Sequence, residues 1–161
     1  MEVWVNNKLN YKIKIMRKAF FTICIWLLVV VSGVSQSDFE KITSTMNDFM
    51  KGTSHNMSDL VLSTFYEDAA LYLTVRDGSL KTFTPQEYAG FFDKGKAEYG
   101  KFNGRVGDVL GIEIENNLAT ATADAIIKPF RYVDKYLLRR FEDGKWRIIS
   151  KASTRYPLAA E

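Results

Sequence analysis

Near the C-terminus two strand-like runs meet at one tight corner, and no other feature of the chain restricts the fold as much. Val133 to Phe141 reads as a strand, Glu142-Asp143-Gly144-Lys145 as a turn, and Trp146 to Lys151 as the strand coming back. Asp-Gly between two such runs specifies a hairpin, because the turn needs a positive φ that glycine takes without steric cost. A lone hairpin is barely stable in water, so the rest of the chain must supply further strands and a cover.

Taken in order, the remaining residues do so. Phe39, Ile42, Met46, Phe49 and Met50 fall on one face of an amphipathic helix, with Ser37 or Asp38 as cap and Lys51-Gly52 as its end. Ser58 to Tyr66 predicts a second helix, capped by Ser58, with Leu60, Val61, Phe65 and Tyr66 as its apolar positions. Ala70 to Val75 and Leu80 to Phe83 read as strands joined by a second Asp-Gly turn, Asp77-Gly78. Thr84-Pro85-Gln86-Glu87 is a helix start with cap, first-turn proline and capping box together. That third helix is expected to run to about Glu98, with Tyr88, Phe91 and Phe92 on its apolar side, and to stop near Gly100. Phe102 to Glu115 and Leu118 to Ile127 follow as strands around Asn116-Asn117, and the second alternates alanine with Thr or Asp, leaving one small face for a helix or a ligand to approach. Pro129 cannot donate a ladder bond and marks an edge, a bulge or a strand break.

Length and composition divide the chain unevenly. At 161 residues, 47% hydrophobic and 14% aromatic, it has the size and content of one packed domain. The net charge is +3, but residues 1–35 hold Lys8, Lys12, Lys14, Arg17 and Lys18 against Glu2, and the remainder comes to −1. The basic balance therefore belongs to the leader and predicts no nucleic-acid partner for the folded part. Cys24, the only cysteine, also lies in the leader, which removes disulfides, thiol nucleophiles and cysteine metal ligands from the rest.

Met16-Arg17-Lys18, the apolar run from Ala19 to Val31 and then Ser32-Gly33-Val34-Ser35 have the three parts of a secretory signal. The expected organisation is an N-terminal extension and signal peptide over residues 1–35, and one domain over residues 36–161. Cleavage after Ser35 would begin the mature chain at Gln36, and Met16 is a second candidate start. An uncleaved anchor is the alternative, although Ala19 to Val34 is shorter than the roughly 20 apolar residues a span needs. Cys24 sits inside the apolar run, where a lipidated cysteine would have to follow it. The expected location is the periplasm or the outside of the cell, with membrane contact only through the leader before cleavage.

The element order, a helix pair first and a four-strand meander last, resembles the nuclear transport factor 2-like superfamily, and more closely its exported putative lumazine-binding, polyketide cyclase-like branch. The likeness rests on Gly52, on Phe65-Tyr66-Glu67-Asp68-Ala69, on Phe83-Thr84-Pro85-Gln86-Glu87-Tyr88, and on Asp134 to Leu138 running into Asp143 to Ile148. It covers about Phe39 to Pro157. The resemblance implies an α+β fold: a cone-shaped, strongly bent antiparallel sheet wrapped around three helices from the N-terminal half, in a family where homodimers are common. It does not fix a reaction, because this fold carries isomerases, dehydratases, cyclases and proteins without known chemistry.

Within such a cone the pocket candidates are Tyr72, Tyr88, Phe92, Asp134, Tyr136 and Trp146. Isomerases of the superfamily use an aspartate base with a tyrosine, and Asp134 and Tyr136 share one face of a strand. If that face is inward the two could be base and donor near the mouth; otherwise Asp134 pairs with a neighbouring Lys or Arg and Tyr136 is core. On the return strand, strict alternation sets Trp146, Ile148 and Ser150 against Arg147, Ile149 and Lys151. His55, the only histidine, reads as a solvated loop residue rather than a general base. No catalytic residue, cofactor or metal is assigned. The expected role is non-catalytic binding of a small apolar or cyclic molecule, with an isomerase or dehydratase and a protein-interaction module as alternatives.

Overall fold

The structure, a computed structural model, describes residues 36–75 and 77–158. The signal-peptide reading lies outside the described residues. Among those described, no helix is long and apolar enough to cross a membrane.

Helix α1 (Asp38–Ser54) starts at a reciprocal cap: the Ser37 hydroxyl accepts from the Glu40 amide at 3.2 Å, and the Glu40 carboxylate accepts from the Ser37 amide at 2.8 Å. Its apolar stripe places Ile42, Met46 and Phe49 out of solvent entirely. Gly52 does not end this helix. It lies inside α1 at the point where α2 (Ser58–Ser63) crosses, and a Cβ there would come within 2.7 Å of Val61 Cγ2. Asn56, at φ 54°, makes the corner between them. Met57 rather than Ser58 holds the N-cap position of α2, without a side-chain bond.

Helix α2 is shorter than the periodicity predicts, because Phe65 and Tyr66 open strand β1 (Phe65–Thr74) instead. Their spacing suits either structure, and long-range partners decide it. Phe65 pairs with Ile148 and packs edge-on against Phe49 at 5.8 Å, while Tyr66 stacks on Phe141 at 4.9 Å. After β2 (Leu80–Phe83), helix α3 (Pro85–Gly90) begins with the expected Thr84–Glu87 capping box. It ends at Gly90, well before Glu98, and in the turns beyond it Gly95 and Gly100 take φ of 81° and 77°. The turns that follow are tied to the end of α1: the Gly100 amide donates to the His55 carbonyl at 2.8 Å and the Asn103 side chain to the Thr53 carbonyl at 2.8 Å.

Strands β3 (Val106–Glu115), β4 (Leu118–Ile127), β5 (Phe130–Arg140) and β6 (Trp146–Pro157) complete one six-stranded sheet in the order β2-β1-β6-β5-β4-β3. All neighbours are antiparallel except β1 and β6, which run parallel, so the expectation of a wholly antiparallel sheet is corrected at one pair. The last strand returns between the first hairpin and β5, and everything between them serves as the long crossover that a parallel pair needs. Register shifts in β1–β6, β3–β4 and β5–β6 bend the sheet, giving a curled open sheet around the helices. Pro129 falls in the turn between β4 and β5, as a strand break, with a cis bond from Lys128. The alanine face of β4 points inward, where Ala119, Ala121 and Ala123 join Ile42, Met46 and Phe49 in one core cluster.

Candidate functional site

Strand β5 turns Asp134, Tyr136 and Leu138 inward, each at most 2% exposed. On β6 the register with β5 slips: Leu138 pairs with Ile148, but Leu137 pairs with Ser150. One extra residue therefore sits in β6 as a bulge, and a bulge reverses which face the following residues occupy. Trp146 and Ile148 point inward before it, and Lys151 points inward after it, at 2% exposure. The alternation that set Lys151 on the face opposite Trp146 is thus overturned. A period-two reading has no means of showing an added residue.

The bulge delivers Lys151 to Asp134. Their ammonium and carboxylate lie 2.9 Å apart with both side chains almost fully buried. Tyr136 donates its hydroxyl to the other carboxylate oxygen at 3.0 Å, and Arg105 Nη2 lies 3.7 Å from that same oxygen. Arg105 precedes β3 and is 7% exposed. It is positioned by the tied-down turn, where the Asn103 side chain accepts from the Arg105 amide at 3.0 Å and donates to Asn56 at 2.9 Å. The Lys151 ammonium also stands 5.5 Å from the ring centres of both Tyr88 and Tyr136, within cation–π range.

Burial and pairing pull the ionisable groups in opposite directions. For Asp134 burial alone would raise the carboxyl, but Lys151, a hydrogen bond from Ser153 and Arg105 together hold it below its ordinary 3.8. For Lys151 burial wins and brings the ammonium down to about 8, with Asp134 opposing. Burial also raises the Tyr88 and Tyr136 hydroxyls, so both stay protonated at neutral pH. Asp134 remains an anion shared by two cations and a tyrosine, which makes it a weak base for proton abstraction.

In front of this cluster lies a cavity of about 370 Å³, in the size range of small-molecule sites. Its lining mixes apolar residues, Leu73, Phe83, Phe91, Phe92 and Ile127, with polar ones, Tyr88, Tyr132, Ser153, Arg105, Lys151 and Arg155. Arg155 stacks over the Phe130 ring at 4.5 Å. Among the described residues no carboxylate is in the lining. A more open hollow of about 680 Å³ at the far end of β5 is walled by Arg139, Phe141, Asp143 and Arg147, where Arg147 is already paired to Asp143 at 2.6 Å. It contains no buried ionisable group, so size alone does not make it the site.

The structure sorts the sequence candidates. Tyr88 and Phe92 line the cavity. Asp134 and Tyr136 stand behind its wall, holding the cations that do line it. Tyr72 projects from the other side of β1 than Leu71 and is 40% exposed. Trp146 is buried away from the cavity, donating its indole N–H to Asp38 at 3.0 Å, while Asp38 also takes Arg140 at 2.7 Å. His55 ends α1, bonded through Nδ1 to the Ser54 hydroxyl at 2.8 Å with its ring near Phe102. Among the described residues no group of His, Cys, Asp and Glu is placed to hold a metal. Sequence reasoning missed Arg105, which lies in a turn without periodicity, and Lys151, which the bulge redirects.

This curled sheet, its helices and the cavity between them define the nuclear transport factor 2-like, cystatin-like fold. Solved structures with that fold superpose on the chain. An NTF2-like protein of unknown function from Shewanella baltica OS155 matches at 21% identity and TM-score 0.64, over 74% of this chain and 94% of that one. A ketosteroid isomerase-like protein from Erwinia carotovora atroseptica SCRI1043 matches at 14% identity and TM-score 0.55, over 71% and 92%. A cystatin-like fold protein from Burkholderia xenovorans LB400 matches at 8% identity and TM-score 0.55, over 73% and 91%. Within this fold, residues 37–153 match the family described as putative lumazine-binding, and the chain belongs to that family. No curated protein matches it.

Proposed function

We propose that this protein is an exported, non-catalytic binder of a small molecule, held in the cavity between α3 and the curled sheet. The observation that carries the reading is the cavity itself: about 370 Å³, lined by apolar and cationic residues together, beside a buried ion cluster. A structural protein of this fold gains nothing from keeping such a space unfilled by side chains. The family's description as a small-ligand binder supports the same reading.

An isomerase of the aspartate-base type is the less favoured reading. Asp134 and Tyr136 do stand together, but the carboxylate is held low, paired on both oxygens and kept out of the cavity lining. Export rests on the leader, and N-terminal sequencing of secreted material tests it: a terminus at Met1 or Met16 would refute cleavage. Homodimer formation through the outer sheet face is part of the proposal, since Leu118, Ile126 and Leu137 are exposed there on β4 and β5. Sedimentation equilibrium reports on it directly.

Native mass spectrometry of protein purified from an exporting host, with denaturing spectra beside it, is the test of the binding reading. A stoichiometric small molecule lost on denaturation supports it. A clean unliganded mass, together with no binding from a panel of aromatic and alicyclic compounds, would remove it.

A further inference from the structure

We infer that the cavity selects small organic anions, a cyclic apolar body bearing one carboxylate-like group, with Arg105 and Lys151 receiving the charged end. The inference rests on the binding reading above and names the ligand class for that site.

The argument is one of charge and unfilled donors. Two cations and one carboxylate, Asp134, are buried together at the inner wall, so the wall carries an excess positive charge. A buried cation without a full complement of acceptors is costly, and a bound anion is one way to meet that cost. Arg105 shows the shortfall at atomic level: its Nε is out of solvent and has no hydrogen-bond acceptor. Its contact with Asp134, at 3.7 Å, is too long for a hydrogen bond, whereas Lys151 meets the same carboxylate at 2.9 Å. Lys151 is thus the nearer partner of Asp134, and the guanidinium, which also bonds the Tyr88 hydroxyl, keeps its Nε–H without an acceptor. A planar carboxylate is the shape that a guanidinium fork grips through two parallel bonds.

The rest of the cavity selects the body of the ligand. Phe91, Phe92, Phe83 and Leu73 offer ring faces and aliphatic surface with no acidic residue among them. A phosphate or other compact inorganic anion would leave those apolar residues uncovered. A neutral ring compound would bring no counter-charge to the two buried cations.

The test compares two probes of equal size, 2-naphthoate and 2-naphthamide, by isothermal titration calorimetry with the full chain and its Arg105→Gln variant. The charge-assisted bonds should make naphthoate bind at least about tenfold more tightly than naphthamide to the unaltered protein. In Arg105→Gln that preference should fall towards parity while naphthamide affinity holds. Equal affinities in the unaltered protein would overturn the anion inference and leave the cavity reading standing. Binding of neither probe would overturn both. A naphthoate preference that survives Arg105→Gln would overturn the assignment to Arg105. Should that variant fail to fold by circular dichroism, the probe ratio in the unaltered protein decides the ligand class, and Arg105→Lys, which keeps charge but loses the fork, decides the assignment.

Discussion

Tyr136 donates its hydroxyl to Asp134 Oδ2 at 3.0 Å, two residues along one strand and on one buried face. The pair resembles a donor and a base, yet the other carboxylate oxygen is taken by Lys151 at 2.9 Å. Asp134 therefore works as the anchor of a buried ion cluster. Replacing it with Asn leaves Lys151 and Arg105 without their counter-charge, and breaking one side of a buried pair costs about 3–5 kcal/mol. Urea unfolding of Asp134→Asn should show a loss of that size. Unchanged or increased stability would return Asp134 to the list of functional acids.

Acid should weaken the fold through the same residue. The Asp134 carboxyl is held below its ordinary 3.8 in the folded chain, so its contribution is complete above that value and is lost as pH falls through the lower folded one. Asp38, Asp77, Glu87 and Asp143 are also held low, so the part due to Asp134 is the difference between the unaltered protein and Asp134→Asn. Lys151 gives the alkaline counterpart. With its ammonium brought to about 8 against an ordinary 10.5, the folded chain holds fewer protons than the unfolded one between those values, and this group's contribution rises with pH there. Denaturation midpoints across both windows, with Lys151→Met as control, measure the two slopes.

Gly52→Ala separates helix propensity from packing. In an isolated helix the change is favourable by about 1 kcal/mol. Here the added Cβ would meet Val61 Cγ2 at 2.7 Å, the Val61 amide nitrogen at 3.0 Å and the Met57 carbonyl at 3.3 Å. Two of those atoms are backbone, so α2 must shift, and overpacking of this kind costs about 1–3 kcal/mol. The expected net result is a lower thermal midpoint, recovered only in part by adding Val61→Ala.

Phe49 is the hinge of the aromatic core. It is fully buried and meets Phe65, Tyr88 and Tyr136 with ring centres at 5.8, 6.0 and 5.3 Å. Phe49→Ala should cost about 3–5 kcal/mol. Because Tyr88 and Tyr136 flank Lys151, naphthoate affinity should fall as well, which calorimetry on the folded variant would show.

The Thr84–Glu87 capping box, the Asp-Gly turns and the small alanine face of β4 were legible because each depends on residues within a few positions of one another. The lengths of α2 and α3 were less so. Phe65 and Tyr66 suit a helix or a strand, and only pairing with Ile148 and stacking on Phe141 make them a strand. Of the pocket candidates, Tyr72 is 40% exposed on the other side of β1 from Leu71, and Trp146 bonds Asp38.

By itself the sequence determined the element order, the hairpin at Asp143-Gly144 and the shared face of Asp134 and Tyr136, since local periodicity and turn chemistry act over short spans. Tertiary structure alone decided the site. One extra residue in β6 reverses Lys151 from outside to inside, and a turn tied to the end of α1 brings Arg105 to the same carboxylate. Both depend on register between segments far apart in the chain, and register is set by packing the whole sheet around its core.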